Sequence, residues 1–302
     1  MHKRQLGKSD LFVSEIGFGC MSLSTNQQEA NKIIQTALNN GITYFDTADL
    51  YDQGENEKIV GNALKDNRQD IILATKVGNR VNASGDGWSW DPSKKWITTG
   101  IHASLKRLQT DYIDVYQLHG GMMEDDVDEV IDTMESLKKE GLIREYGISS
   151  IRPNVIERFL QKSNAVSVMM QYSLLDRRPE ECFSLLEDNQ ASLLIRGTVA
   201  KGLLTADGLN RANKTHNYLS YSNKELIDTI EKLQALDAPI SSIALQYALQ
   251  IKVTGSLIIG ASSSEQLIES IEAYKQPVPE SILLEAAEIT KREIYLEHRI
   301  TI

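Results

Sequence analysis

The chain has 302 residues, 41% of them hydrophobic and 25% charged, which is ordinary for a folded globular protein with a large core. Its 42 acids against 32 lysines and arginines leave a net charge of −10. With no basic run anywhere, that excludes a nucleic-acid backbone as partner. No stretch approaches the roughly 18–20 apolar residues of a membrane helix, which excludes a membrane as well.

The start, MHKRQLGKSDLF, lacks the apolar segment of a secretory signal. The two cysteines, Cys20 and Cys182, are far apart and fit no metal or redox spacing. Such sparse use suits a reducing compartment, so the expected location is cytoplasmic.

In chain order, residues 3–6 and 11–13 flank the polar turn Gly7-Lys8-Ser9-Asp10 and read as a β-hairpin. A first core strand at 16–18 runs into Gly19-Cys20-Met21. The following helix, capped by Asn26 or Thr25, places Ile33, Ile34, Ala37 and Leu38 at helical spacing and closes at Gly41. Further strands are expected at 43–45, 71–75, 113–118, 146–148, 167–170, 192–195 and 257–259. Helical patterns fall at 57–65, 93–108, 127–140, 153–161, 179–188, 223–235 and 264–273. Strictly alternating strands and helices imply parallel pairing with right-handed crossovers. Eight units close best as a (β/α)8 TIM barrel, α/β in class, as one domain over residues 1–302. An open nucleotide-binding sheet would need a Gly-x-Gly-x-x-Gly turn after an early strand, and none occurs. Segments 78–96 and 198–222 are longer than connections require. Two extra helices are expected at 241–251 and 279–297. Long loops in a compact domain are usually functional, and those after barrel strands surround the active site.

Three successive strands end in chemistry. The apolar run Ile42, Tyr44, Phe45 stops at Asp46, and the next loop carries Tyr51. The strand at 71–75 ends in Lys76, and the one at 113–118 ends in His119. A phenol ordinarily titrates near about 10, too high to give up a proton readily, and a nearby ammonium favours the phenolate. Lys76 can supply that charge, Asp46 can hold Lys76, and His119 can orient a carbonyl. Such a group is a general acid aimed at an oxygen gaining negative charge, as in carbonyl reduction by hydride. Singly, each residue has a plainer reading: a cap for Asp46, a packed ring for Tyr51, a surface lysine just past a strand, a structural histidine. Their joint placement at strand ends favours the site.

The string FDTADLYDQGENEKIVGNAL resembles the first signature of the aldo-keto reductase superfamily. LATKVG is similar to its lysine motif and LQTDYIDVYQLHGG to its histidine motif. The resemblance spans nearly the whole chain, with the motifs in family order. It implies Tyr51 as general acid tuned by Asp46 and Lys76, with His119 positioning a small aldehyde or ketone. It also implies a nicotinamide cofactor, NADPH with NADH as the other candidate, bound without a Rossmann domain. On that resemblance Ser149 and Ser150 in GISS, and Gln171 in MMQYS, hold the carboxamide. Gly19, Cys20 and Met21 meet the cofactor from the first loop. Gly260, Ser262, Gln266, Glu269 and Ser270 in GASSSEQLIES take the adenosine phosphate at a helix start, an anion site on physical grounds too.

The chain departs from the pattern in places. Arg196, before Gly197, stands where an aromatic usually stacks on the nicotinamide, and its planar guanidinium can stack or contact phosphate. Ser270 replaces an asparagine, Asp52 replaces the glycine after the tyrosine, and the phosphate loop has no lysine or arginine. Trp88 and Trp90, in the long 78–96 loop, are candidate substrate-pocket walls, with packing of the loop onto the rim as the alternative. Cys20 also reads as a small packing residue. Oligomeric state is left open. Two other functions compete: a nucleotide-sensing channel β-subunit-like protein with little turnover, which GASSSEQL resembles, and a Schiff-base aldolase using Lys76.

Overall fold

A computed structural model describes residues 1–82 and 87–300. The expected 78–96 loop therefore lies partly outside the described residues, at 83–86. Eight parallel strands close a barrel: β1 (Ile16–Gly19), β2 (Tyr44–Asp46), β3 (Ile72–Val77), β4 (Ile113–Leu118), β5 (Ile143–Ser149), β6 (Ser167–Gln171), β7 (Ser192–Arg196) and β8 (Thr254–Gly260). Each pairs with the next, and β8 returns to β1 through Leu257–Ile16 to Gly260–Gly19. Outside them lie α1 (Gln27–Asn39), α2 (Glu55–Leu64), α3 (Lys94–Leu108), α4 (Val127–Lys139), α5 (Pro153–Lys162), α6 (Phe183–Asp188), α7 (Asn223–Gln234) and α8 (Ser264–Lys275). This is the (β/α)8 TIM barrel, and among the described residues no helix is long and apolar enough to cross a membrane.

The strands form because their side chains are buried on both faces, as parallel barrel strands require; every residue of β4 is buried. One face packs inward: Tyr44, Ala74, Val115, Met169, Leu194 and Ile258 share a cluster. The N-terminal hairpin, Lys3–Gln5 against Phe12–Ser14, closes the lower end by adding Leu6, Leu11 and Val13 to that cluster. The other face packs on the helices. Side-chain caps start several of these: Asn26 Oδ1 accepts from Gln28 and Glu29 at α1, and Ser222 forms a capping box with Glu225 at α7.

Four differences from expectation matter. Strand β3 runs on through Lys76 to Val77, so Lys76 points into the protein and is 1% exposed; it is no surface lysine. The 78–96 segment is not plain loop, since Asn79–Val81 pairs with Trp88–Trp90 as a hairpin and α3 takes its end. Segment 198–222 folds a one-turn helix, Gly208–Ala212, and a short ladder, Asn217–Tyr218 with Tyr221–Ser222. The extra helices are Ile240–Leu249 and Glu280–Ile289, so the second stops well short of residue 297. Beyond Ile289 the chain becomes a strap held from outside. Tyr221 Oη accepts from the Lys291 amide at 2.6 Å, Arg292 meets Glu180 at 3.1 Å, and Tyr295 is buried. Those tertiary contacts override a helix-forming local sequence.

Candidate active site

The sequence places Asp46, Lys76 and His119 on three adjacent strands, and barrel closure brings their ends to one rim. Asp46 is the last residue of β2 and Lys76 the penultimate residue of β3. His119 directly follows β4, its amide bonded to Val77 O at 2.7 Å. Lys76 Nζ donates to Asp46 Oδ2 at 2.6 Å, to the Thr47 carbonyl at 2.7 Å and to the Tyr51 hydroxyl oxygen at 3.2 Å. An ammonium has three N–H groups, and all three are directed.

Burial works against both charges of the pair. It pushes the Asp46 carboxyl up, and Lys76 brings it only part of the way back. For Lys76 the balance reverses: burial depresses it, yet Asp46 and Tyr51 outweigh that and hold it above its ordinary value. With hydrogen bonds satisfying the remaining positions, the ion pair is the stable form. Gln117 completes it by donating to Asp46 Oδ1 at 3.1 Å. Gln117 was not singled out from the sequence. Its signal was available, since it lies two residues before His119 and alternate strand residues share a face.

Tyr51 is half-buried, its ring edge-on to His119 at 6.1 Å and 86°, with Lys76 Nζ 4.9 Å from the ring centre. The following turn is strained: Asp52 and Gln53 adopt φ of 47° and 55°, and Gly54 follows at 88°. Left-handed backbone at two non-glycine residues is costly and concentrates at functional sites. It turns the chain from Tyr51 into α2 in three residues. Behind the turn, Glu57 accepts from Thr75 Oγ1 at 2.6 Å and from Arg107 Nε at 2.6 Å, tying α2, β3 and α3 together. Asp49 lies beside them with Oδ1 unpartnered; burial, then repulsion by Glu57, pushes its carboxyl up to about 8.

Burial, then the charges of Lys76 and Arg196, push the His119 imidazole down to about 3. The ring is neutral, with Nδ1 buried and unpartnered, which leaves Nε2 as the nitrogen able to face a ligand. Its loop is clamped. The Trp90 ring lies against Gly78 and Gly120, where a Cβ would come within 2.6 and 3.0 Å of it. Trp90 Nε1 donates to Asp125 Oδ1 at 2.9 Å. Trp90 thus packs against the backbone next to His119, whereas Trp88 is 57% exposed.

The remaining candidates follow around the rim, because β5, β6, β7, β8 and β1 are neighbours. Ser149, Gln171, Arg196 and Gly260 each close a strand. Arg196 is exposed and donates to Gln171 Oε1 at 3.2 Å. Gly197 follows at φ 75°, and Ser150 Oγ accepts from the Arg152 amide at 3.2 Å. Gly19 and Gly260 are register partners, and a Cβ on either would come within 3.1 Å of the Ile258 or Ser22 side chain. Of the first loop, Met21 is 63% exposed while Cys20 is fully buried, its thiol pushed up by burial. Cys20 can present only backbone to a ligand. At α8, Ser263 caps the helix through the Gln266 amide. Ser262 N and Oγ both donate to Gln266 Oε1 at 3.0 Å, and Ser270 Oγ donates to the Gln266 carbonyl at 3.1 Å. Glu269 is exposed and points no cation at the loop.

The sequence profile of the Aldo/keto reductase family matches residues 15–290. The chain is 52% identical over 305 residues to the oxidoreductase YqkF of Bacillus subtilis (strain 168), covering 99% of this chain and 100% of that one. It is 30% identical over 305 residues to the NADH-specific methylglyoxal reductase of Escherichia coli (strain K12), covering 90% and 93%. The holo form of aldo-keto reductase AKR11C1 from Bacillus halodurans superposes with a TM-score of 0.95 at 51% identity, covering 99% and 100%. With barrel, motifs and profile in agreement, the chain belongs to the aldo/keto reductase family and is an oxidoreductase.

Proposed function

We propose that this protein reduces small aldehydes or ketones to alcohols, using NADPH in preference to NADH, with Tyr51 as the general acid. The observation that carries the reading is the position of Lys76 Nζ, buried between the Asp46 carboxylate and the half-exposed Tyr51 hydroxyl. A phenol that gives its proton to a carbonyl oxygen leaves a phenolate, and a fixed ammonium at hydrogen-bond distance stabilises that anion without reorganising. Asp46 keeps the ammonium charged, and Gln117 and Thr47 O fix the pair. The neutral His119 offers Nε2–H to the same oxygen and holds the carbonyl beside Tyr51. Because all three Lys76 N–H groups are committed, its amine has no free lone pair, which disfavours the Schiff-base aldolase.

The rim fits a nicotinamide dinucleotide. The paired glycines Gly19 and Gly260, bordered by Ile258 and Ser22, would let a flat group approach the backbone. Ser149, Ser150 and Gln171 would hold the carboxamide, and Arg196 with Gly197 would lie over the ring or pyrophosphate. The start of α8 would take the adenosine end, where the helix dipole favours an anion, with Ser262 exchanging its two bonds to Gln266 Oε1 for the ligand. When bound, the reduced dinucleotide supplies the hydride. Two free, buried cysteines 20 and 182 support a cytoplasmic setting.

Titration with NADPH and NADH, followed by turnover on a panel of small aldehydes, tests the proposal. Tighter NADPH binding with turnover supports it. Tighter NADH binding would overturn the cofactor preference alone. Tight binding with no turnover on any carbonyl would replace it with the nucleotide-sensing reading.

A further inference from the structure

Gln171 ends β6, and the hydrogens of its amide already have acceptors. Nε2 donates to Asp176 Oδ2 at 3.2 Å and to the Tyr218 hydroxyl oxygen at 3.5 Å. At the other end of the amide, Oε1 accepts from Arg196 Nη1 at 3.2 Å. A primary amide donates from nitrogen and accepts at oxygen, and a carboxylate only accepts. Asp176 can therefore face Nε2 and never Oε1, while Arg196, which only donates, can face Oε1 and never Nε2, so both hold the amide the same way, Asp176 from the buried side.

Asp176 is itself fixed. It is 1% exposed. Arg178 grips it with two parallel bonds, Nε to Oδ1 at 2.7 Å and Nη2 to Oδ2 at 2.8 Å, a fork that sets the plane of the carboxylate. Its backbone exchanges two hydrogen bonds with Ser173, at 3.2 and 3.0 Å. The Arg178 guanidinium lies 4.9 Å from the ring centre of Tyr295, so the C-terminal strap backs the fork. The chain of contacts runs from the strap through Arg178 and Asp176 to the one amide at the end of β6.

We propose that Asp176 is a positioning residue that locks the Gln171 amide with Oε1 toward the cofactor cleft, so that the site demands an N–H donor on the ring of its dinucleotide. The inference rests on the nicotinamide reading above and adds to it a requirement on the ligand. A carboxamide meets that requirement through its NH2. A methyl ketone of the same shape does not, and it would set its own acceptor or methyl against Oε1. The Arg196 contact uses one lone pair of Oε1 and leaves the other for the ligand.

The experiment measures Kd of the full-length protein for NADPH and two analogues. The thionicotinamide analogue keeps the NH2, and the 3-acetylpyridine analogue replaces it with methyl. The wild-type protein is expected to bind NADPH and the thio analogue within about threefold, and the acetylpyridine analogue about tenfold more weakly, the loss of one partner to a partly buried acceptor. In Arg196→Ala the preference is expected to persist, because Asp176 still faces Nε2. In the double variant, Arg196→Ala with Asp176→Asn, residue 176 presents both a donor and an acceptor, the Gln171 amide can reverse, and the tenfold preference is expected to shrink to about twofold. Each preference is a ratio of constants from one preparation, so a loss of stability does not move it. A preference that stays at tenfold in the double variant, or that is already lost in Arg196→Ala, overturns the role of Asp176. Equal wild-type affinity for NADPH and the acetylpyridine analogue overturns the inference even if the variant does not fold. Failure to bind any dinucleotide overturns the nicotinamide reading itself, a result distinct from binding without preference.

Discussion

The ammonium of Lys76 stands 3.2 Å from the hydroxyl oxygen of Tyr51 and 4.9 Å from the centre of its ring. The tyrosine thus meets a positive charge that is itself 1% exposed. Water screens such a charge little, so whatever anion forms on the phenol oxygen feels it strongly.

Breaking the buried pair tests both its chemistry and its cost. Lys76→Met leaves Asp46 without its cation, and removing one partner of a buried pair costs about 3–5 kcal/mol. Urea denaturation of this variant should show that loss. Turnover measured on the folded fraction should fall by about 10²–10⁴-fold, the usual range for general acid catalysis. Asp46→Asn keeps a hydrogen-bonding side chain and should lose less stability than Lys76→Met while also slowing turnover.

His119 should record its neutral state in the pH dependence of stability. Its folded value, about 3, lies below the ordinary 6.5. Between those values the unfolded chain binds a proton that the folded chain refuses. The contribution is therefore present above 6.5 and lost as pH falls toward 3, by up to about 1.4 kcal/mol per pH unit. Relative to wild type, His119→Gln should gain stability as pH is lowered through that window. Parallel curves for the two proteins would mean the imidazole is charged in the fold.

Asp49 predicts the opposite slope. Its folded value, about 8, lies above the ordinary 3.8, so the folded state holds a proton in the window between. That stabilisation is complete below 3.8 and lost as pH rises through 8. Asp49→Asn removes the titration, and its advantage over wild type should widen between about pH 4 and 8, then level off. Thermal melts across that range would decide it.

Much of the fold could be read from the chain because barrel strands are short apolar runs with a reactive residue at their ends. Asp46, Tyr51, Lys76 and His119 do converge on one rim, as their strand positions required. Contacts that depend on long-range placement were hidden. Nothing local says that Trp90 packs against Gly120, or that Asp176 reaches back to Gln171. Residues 290–297 look helical by sequence and become a strap only because Glu180, Tyr221 and Arg178 wait for them on other elements. The cysteine at position 20 sits in a cofactor motif by sequence, yet its side chain belongs to the core.

Asp52 offers a smaller test of how the Tyr51 turn is built. It holds φ 47°, a left-handed backbone that favours glycine. Asp52→Gly should relieve that strain, offset partly by the greater freedom of glycine in the unfolded chain, for a net gain of about 0.5–1 kcal/mol. Turnover should change by less than about twofold, since the turn keeps its path. A loss of stability would mean that the Asp52 side chain holds the turn.

The role of Tyr51 is tested by single-turnover reduction of a small aldehyde by enzyme preloaded with NADPH, wild type against Tyr51→Phe. The hydroxyl is lost while the ring, the Lys76–Asp46 pair and the cofactor rim stay. Unchanged NADPH affinity is expected, with hydride transfer slower by about 10²–10⁴-fold. Transfer at the wild-type rate in Tyr51→Phe would contradict it and move the proton donor elsewhere, with His119 the next group to examine.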